Sequence, residues 1–197
     1  MNCRIMSRNI KDKTFITILA FIVLTAGIVI GSVMLMKVGA DGSEGLKNYL
    51  NAFIQNSRQE IDKTAIFQSA LKENIIYLLI IFFSGFFRIG VVFIAAALIR
   101  KGFIMGFTAA ALVRFFGWKG ILVTASMLPG ILLIIPAFLI FSALSADFAL
   151  SGGKKEKQYI LCFLFFAIIT VIIFCAAAFA EGWLTTAFMK WLSAKII

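Results

Sequence analysis

Residues able to move protons or to attack a carbonyl are sparse in this 197-residue chain. There is no histidine, which removes the commonest general base and an ordinary metal ligand. Asp41, Glu44, Glu60, Asp62 and Glu73 share one polar segment, but their spacing is that of a solvated helix face rather than a facing carboxylate pair. Thr124 and Ser126 lack a histidine to activate them, and no glycine-rich loop with its lysine is present to cradle phosphate. Cys3, Cys162 and Cys175 are too few and too scattered for a disulfide framework. No enzyme activity, cofactor, metal site or small-molecule substrate is expected.

The elements that would have to position any such site are apolar. Hydrophobic types make up 62% of the chain and charged types 14%, including 22 Phe. The mean hydropathy is +1.03. A soluble body of this size leaves roughly a third of its unfolded surface exposed and cannot hide so much apolar material. The formal charge of +10 sits in short bands between apolar runs. Such bands set topology and attract anionic headgroups; they do not argue for nucleic acid. Membrane lipid is the expected environment.

Five stretches carry the signal of an all-α, polytopic membrane domain occupying residues 1–197. Phe15 to Met36 is uncharged and makes about 33 Å of helix, enough to cross a ~30 Å hydrocarbon core and too long for a signal peptide. A second span runs from Asn74 to Ile99, interrupted only by Arg88. A fourth, Gly120 to Ala146, contains Pro129 and Pro136, and a fifth runs from Gln158 to Ala180. The third segment is short. Either Gly102–Trp118 crosses with Arg114 snorkelling, or Gly102–Phe116 descends part way and Gly117–Leu128 returns as a re-entrant hairpin. Basic residues at 4–13, at Arg100-Lys101 and at 154–157 place those bands and the amino terminus inside, and the carboxyl terminus outside.

Two amphipathic pieces remain, an extracytoplasmic segment at 38–73 and a carboxyl-terminal interfacial helix at 182–197. Both carry apolar stripes at helical spacing, suited to lying on a membrane or docking a partner. Their bulky members Tyr49, Phe53, Trp183 and Trp191 are the candidate partner contacts.

Arg88, read as lying in mid-span, requires protein or water around it. The sequence leaves three roles open: stapling carbonyls freed near Pro129 or Pro136, snorkelling if the span is displaced, or serving a substrate or ion. Gly27-x-x-x-Gly31 and Gly102-x-x-x-Gly106 let helices approach closely, within one subunit or between two.

The run from Arg100 to Gly120 contains Lys101-Gly102-Phe103-x-x-Gly106-Phe107 and Gly117-x-Lys119-Gly120, followed by Leu128-Pro129 and Ile135-Pro136-Ala137. This pattern resembles the stage II sporulation protein M family. The resemblance covers nearly the whole chain. It implies a multi-pass anchor for a peptidoglycan-remodelling complex in endospore engulfment, with stage II sporulation proteins D and P as partners that carry the hydrolytic chemistry. A non-catalytic scaffold is the expected function. A transporter or permease subunit is the alternative.

Overall fold

The computed structural model describes residues 10–39, 44–48, 63–126, 128–150 and 157–185. Among them every regular element is helical. Lipid offers backbone groups no hydrogen-bond partners, so an apolar run must satisfy its own N–H and C=O groups as a helix. Helices α1 (Ile10–Met36), α2 (Lys63–Ser84), α3 (Gly90–Phe116), α4 (Trp118–Ser126), α5 (Leu128–Leu150) and α6 (Lys157–Ala180) follow in order. A π-helical turn, Glu181–Thr185, extends α6.

Among the described residues, five helices are long and apolar enough to cross a membrane: Thr14–Met36, Ile66–Ser84, Gly90–Phe116, Gly130–Leu150 and Ile160–Trp183. The chain is an all-α, multi-pass membrane protein. Helix α5 is central, packed against α1, α2, α3 and α6. Phe141 and Phe148 of α5 meet Phe163 of α6 in a fully buried stack, with Phe148 and Phe163 ring centres 4.5 Å apart. Large apolar side chains cover the outside, among them Phe15, Val92, Leu132 and Ile168.

The boundaries of the second and third spans differ from the sequence reading. The second ends at Ser84, and the third is a full-length helix from Gly90 to Phe116, neither short nor re-entrant. Hydropathy missed the break because the turn at 85–89 is itself apolar. It holds Phe86 and Phe87, and Phe86 packs edge-on to Phe148. Small residues make the turn possible: a Cβ at Gly90 would collide with the backbone of Ser84, and one at Gly85 would lie 2.6 Å from Ser145 Oγ.

Two consequences follow for the charges. Arg88 lies in this turn, exposed at one end of the bundle. Pro136, one of its supposed partners, lies near the Tyr77–Phe138 contact, about three helical turns away along α2. Arg100 and Lys101, read above as an inner band, fall instead inside α3, and Lys101 stands midway between Arg88 and Arg114. Thirteen positions, about 20 Å at helical rise, separate it from each, which puts it near the middle of the candidate span Gly90–Phe116.

Candidate functional site

Two features meet on α3: a close helix seam on one side and an ionic cluster on the other. In the seam, α1 and α3 run parallel. A Cβ at Gly102 would strike the carbonyl oxygen of Leu24, and one at Gly106 that of Ile28. A Cβ at Gly27 would lie 2.6 Å from the Ile99 oxygen, and one at Gly31 would strike the oxygen of Phe103. The two small-xxx-small motifs therefore face each other within one subunit. Backbone contact of this kind is how membrane helices associate without a hydrophobic drive. Ser32 Oγ donates to the Gly106 carbonyl at 3.3 Å, adding a cross-helix hydrogen bond.

The seam closes at its far end. Arg114 donates from Nη1 to the Leu35 carbonyl at 2.6 Å, a second donor to an oxygen that also accepts from Val38 N–H at 3.2 Å just past the end of α1. Phe107, stacked with Phe103 at 5.9 Å, packs on the small core of Leu35, Ala111 and Leu112, as does Leu46 of the helical stretch 44–48. Gly117 then turns the chain with φ +54°, a conformation that favours glycine. Lys119 lies in the first turn of α4, and a Cβ at Gly120 would collide with the Leu112 carbonyl. Helix α4 thus folds back tightly on α3 and delivers the chain to α5, whose first turn holds Pro129.

The ionic cluster was not foreseen. Lys101 Nζ donates to Glu73 Oε1 at 3.0 Å and to Asn74 Oδ1 at 3.5 Å. Its side chain is 13% exposed, whereas that of Glu73 is 51% exposed. Asn74 and Tyr77 are buried. The Tyr77 ring receives two cations, Lys101 Nζ 5.0 Å from its centre and Arg100 Cζ at 5.7 Å, and meets Phe138 edge-on. Glu181, half-buried in the π-helical turn, is within electrostatic range of Lys101 and Glu73. Its carboxylate fills the space that a Cβ at Gly130 would need. Lys72 is exposed on α2, one turn before Ile76, where its long stem can carry the ammonium toward headgroups.

Sequence reasoning missed this cluster because it treated 74–99 as one span, leaving Glu73 and Lys101 outside the membrane. The available signal was the even spacing of Arg88, Lys101 and Arg114, with one apolar run on each side of the lysine. Of the candidate contact residues, Trp183 stacks on Phe179 at 4.3 Å and meets Phe67 edge-on at 6.3 Å. Tyr49, Phe53 and Trp191 lie outside the described residues. Pro136 is exposed within α5. Among the described residues no group of three or more His, Cys, Asp or Glu is placed to hold a metal.

Comparison with protein families matches residues 20–186 to a family described as Stage II sporulation protein M. Comparison with curated proteins finds no match, and comparison with solved structures finds none.

Proposed function

The chain belongs to the stage II sporulation protein M family, and from that premise we propose that it is a non-catalytic membrane scaffold. On this reading it localises a peptidoglycan-hydrolase complex, containing stage II sporulation proteins D and P, during engulfment and septal wall thinning. Its amino terminus is cytoplasmic and its carboxyl terminus extracytoplasmic, in the mother-cell septal or engulfing membrane. One observation supports it above others: the glycines of the signature meet backbone or make a turn. Gly102 and Gly106 contact α1, Gly117 reverses the chain, and Gly120 contacts α3. A signature whose glycines set helix spacing suits a protein whose task is to hold a shape.

The test is partner recovery. Tyr49→Ala with Phe53→Ala is expected to leave membrane insertion intact and to reduce co-purification of proteins D and P from sporulating cells. Undiminished recovery excludes the 38–73 segment as the main contact. Hydrolysis of cell-wall sacculi by the purified chain alone would defeat the non-catalytic reading.

A transport subunit is the second reading, and the Glu73–Lys101–Glu181 cluster favours it, because ionisable groups at membrane depth often mark a transport path. The buried hydroxyls of Tyr77 and Ser142, which find no hydrogen-bond partner among the described residues, point the same way. Lys101→Met separates the two. Compared per folded molecule, a scaffold without Lys101 keeps its partners, whereas a transport path loses flux.

A further inference from the structure

The outward side of α2 and α3 carries charge where lipid would be expected. Arg100 is exposed near mid-depth, and among the described residues it forms no ion pair; its contact is the Tyr77 ring. Glu73 is half-exposed beside it, with Lys101 holding Oε1. A carboxylate has about four lone-pair sites, so Glu73 retains capacity for a second cation. Exposed apolar side chains flank the pair at helical spacing: Ile76 and Ile80 on α2, and Phe93 and Ile104 on α3. A guanidinium left facing hydrocarbon is costly, and such groups face protein or water.

We propose that two copies of the chain pair through this face, with Arg100 of each set against Glu73 of the partner subunit. Symmetry carries the argument. Two copies inserted the same way form a closed pair about an axis along the membrane normal, which keeps every residue at its own depth. Arg100 and Glu73 share a depth, because the neighbour of Arg100, Lys101, touches Glu73 directly. The two-fold contact therefore brings cation to anion twice, and the planar guanidinium fork suits a carboxylate. A foreign helix with one acid would answer Arg100 and leave the open side of Glu73 facing lipid. A second copy answers both.

The test uses the full chain in lipid vesicles, with Cys3, Cys162 and Cys175 replaced by alanine. Ala96→Cys sits on the proposed face, and Leu132→Cys, exposed on α5, is the control. A short bis-maleimide is expected to give a product of twice the monomer mass from Ala96→Cys and none from Leu132→Cys. Arg100→Glu and Glu73→Arg, each alone, are expected to abolish that product. Co-expressed with different tags, each again bearing Ala96→Cys, they are expected to recover each other, since both charge pairs are restored. Should either reversal fail to fold, the Ala96→Cys result on the otherwise unchanged chain still decides. A monomer at Ala96→Cys, a product containing a different protein, or a dimer indifferent to both reversals in folded protein would overturn the proposal.

Discussion

Gly106→Ala tests the helix seam most directly. A Cβ there would sit 2.8 Å from both the Cα and the carbonyl carbon of Ile28, and against its oxygen. Carbon atoms rest at about 3.5–4.0 Å, so α1 and α3 must separate by roughly 1 Å. Such a gap forfeits about a quarter to a half of each ~0.1–0.2 kcal/mol contact. With on the order of 50 atom pairs along the seam affected, the loss is about 2–4 kcal/mol. Alanine returns up to about 1 kcal/mol of helix propensity. The net is a destabilisation of about 1–3 kcal/mol, the usual range for overpacking.

The assay is reversible unfolding of the purified protein by sodium dodecyl sulfate in mixed micelles, followed by tryptophan fluorescence. Gly45→Ala, where nothing lies within 4 Å, is the control and is expected to be neutral or slightly stabilising. Gly27→Ala combined with Gly106→Ala is expected to cost less than the sum of the two, because helices already moved apart by one methyl accommodate the second. Gly106→Ala as stable as the natural chain, or more so, would refute the seam as a contact between backbones.

Lys101→Met leaves Glu73 and the buried Asn74 without their cation and is expected to cost about 3 kcal/mol, the low end for a broken buried pair because Glu73 is half-exposed. Lys101→Met with Glu73→Gln should recover part of that loss in the same unfolding assay. In a cysteine-free chain, Arg88→Cys is expected to react with an impermeant maleimide only after permeabilisation, and Val38→Cys from outside. Reaction of both from one side would refute the up-and-down order of α1, α2 and α3. Arg88→Leu is expected to change stability by no more than about 0.5 kcal/mol, as for an exposed site away from packing.

Much of this protein was legible in its residues because the bilayer is a one-dimensional filter. A run such as Phe15–Met36 has to be a helix and has to cross, whatever it packs against. The close-approach glycines of Gly27-x-x-x-Gly31 and Gly102-x-x-x-Gly106 were visible for the same reason, since spacing alone puts two small residues on one helix face. That these motifs answer each other could not be read, because their pairing depends on α1 and α3 running parallel at matched depth. Likewise, Gly117-x-Lys119-Gly120 announced a turn, while the collision that makes Gly120 necessary lies with Leu112 on another helix.

Depth was decided by tertiary structure. Hydropathy averages over a window, and a turn in which Phe86, Phe87 and Ile89 outweigh Arg88 is not set apart from the helices on either side. Only the packing of Phe86 on Phe148 and of Gly90 on Ser84 shows that the chain reverses there. Moving that reversal from 100 to 88 exchanges the roles of two charged sites. Arg88 becomes an end-of-bundle cation, and Lys101 becomes the mid-depth ion held by Glu73. Sequence determined that this chain is a helical membrane protein of one family, because composition and local spacing suffice for that. Which of its charges lies inside the membrane is a property of where helices end, and those ends are set by contacts between residues far apart in the chain.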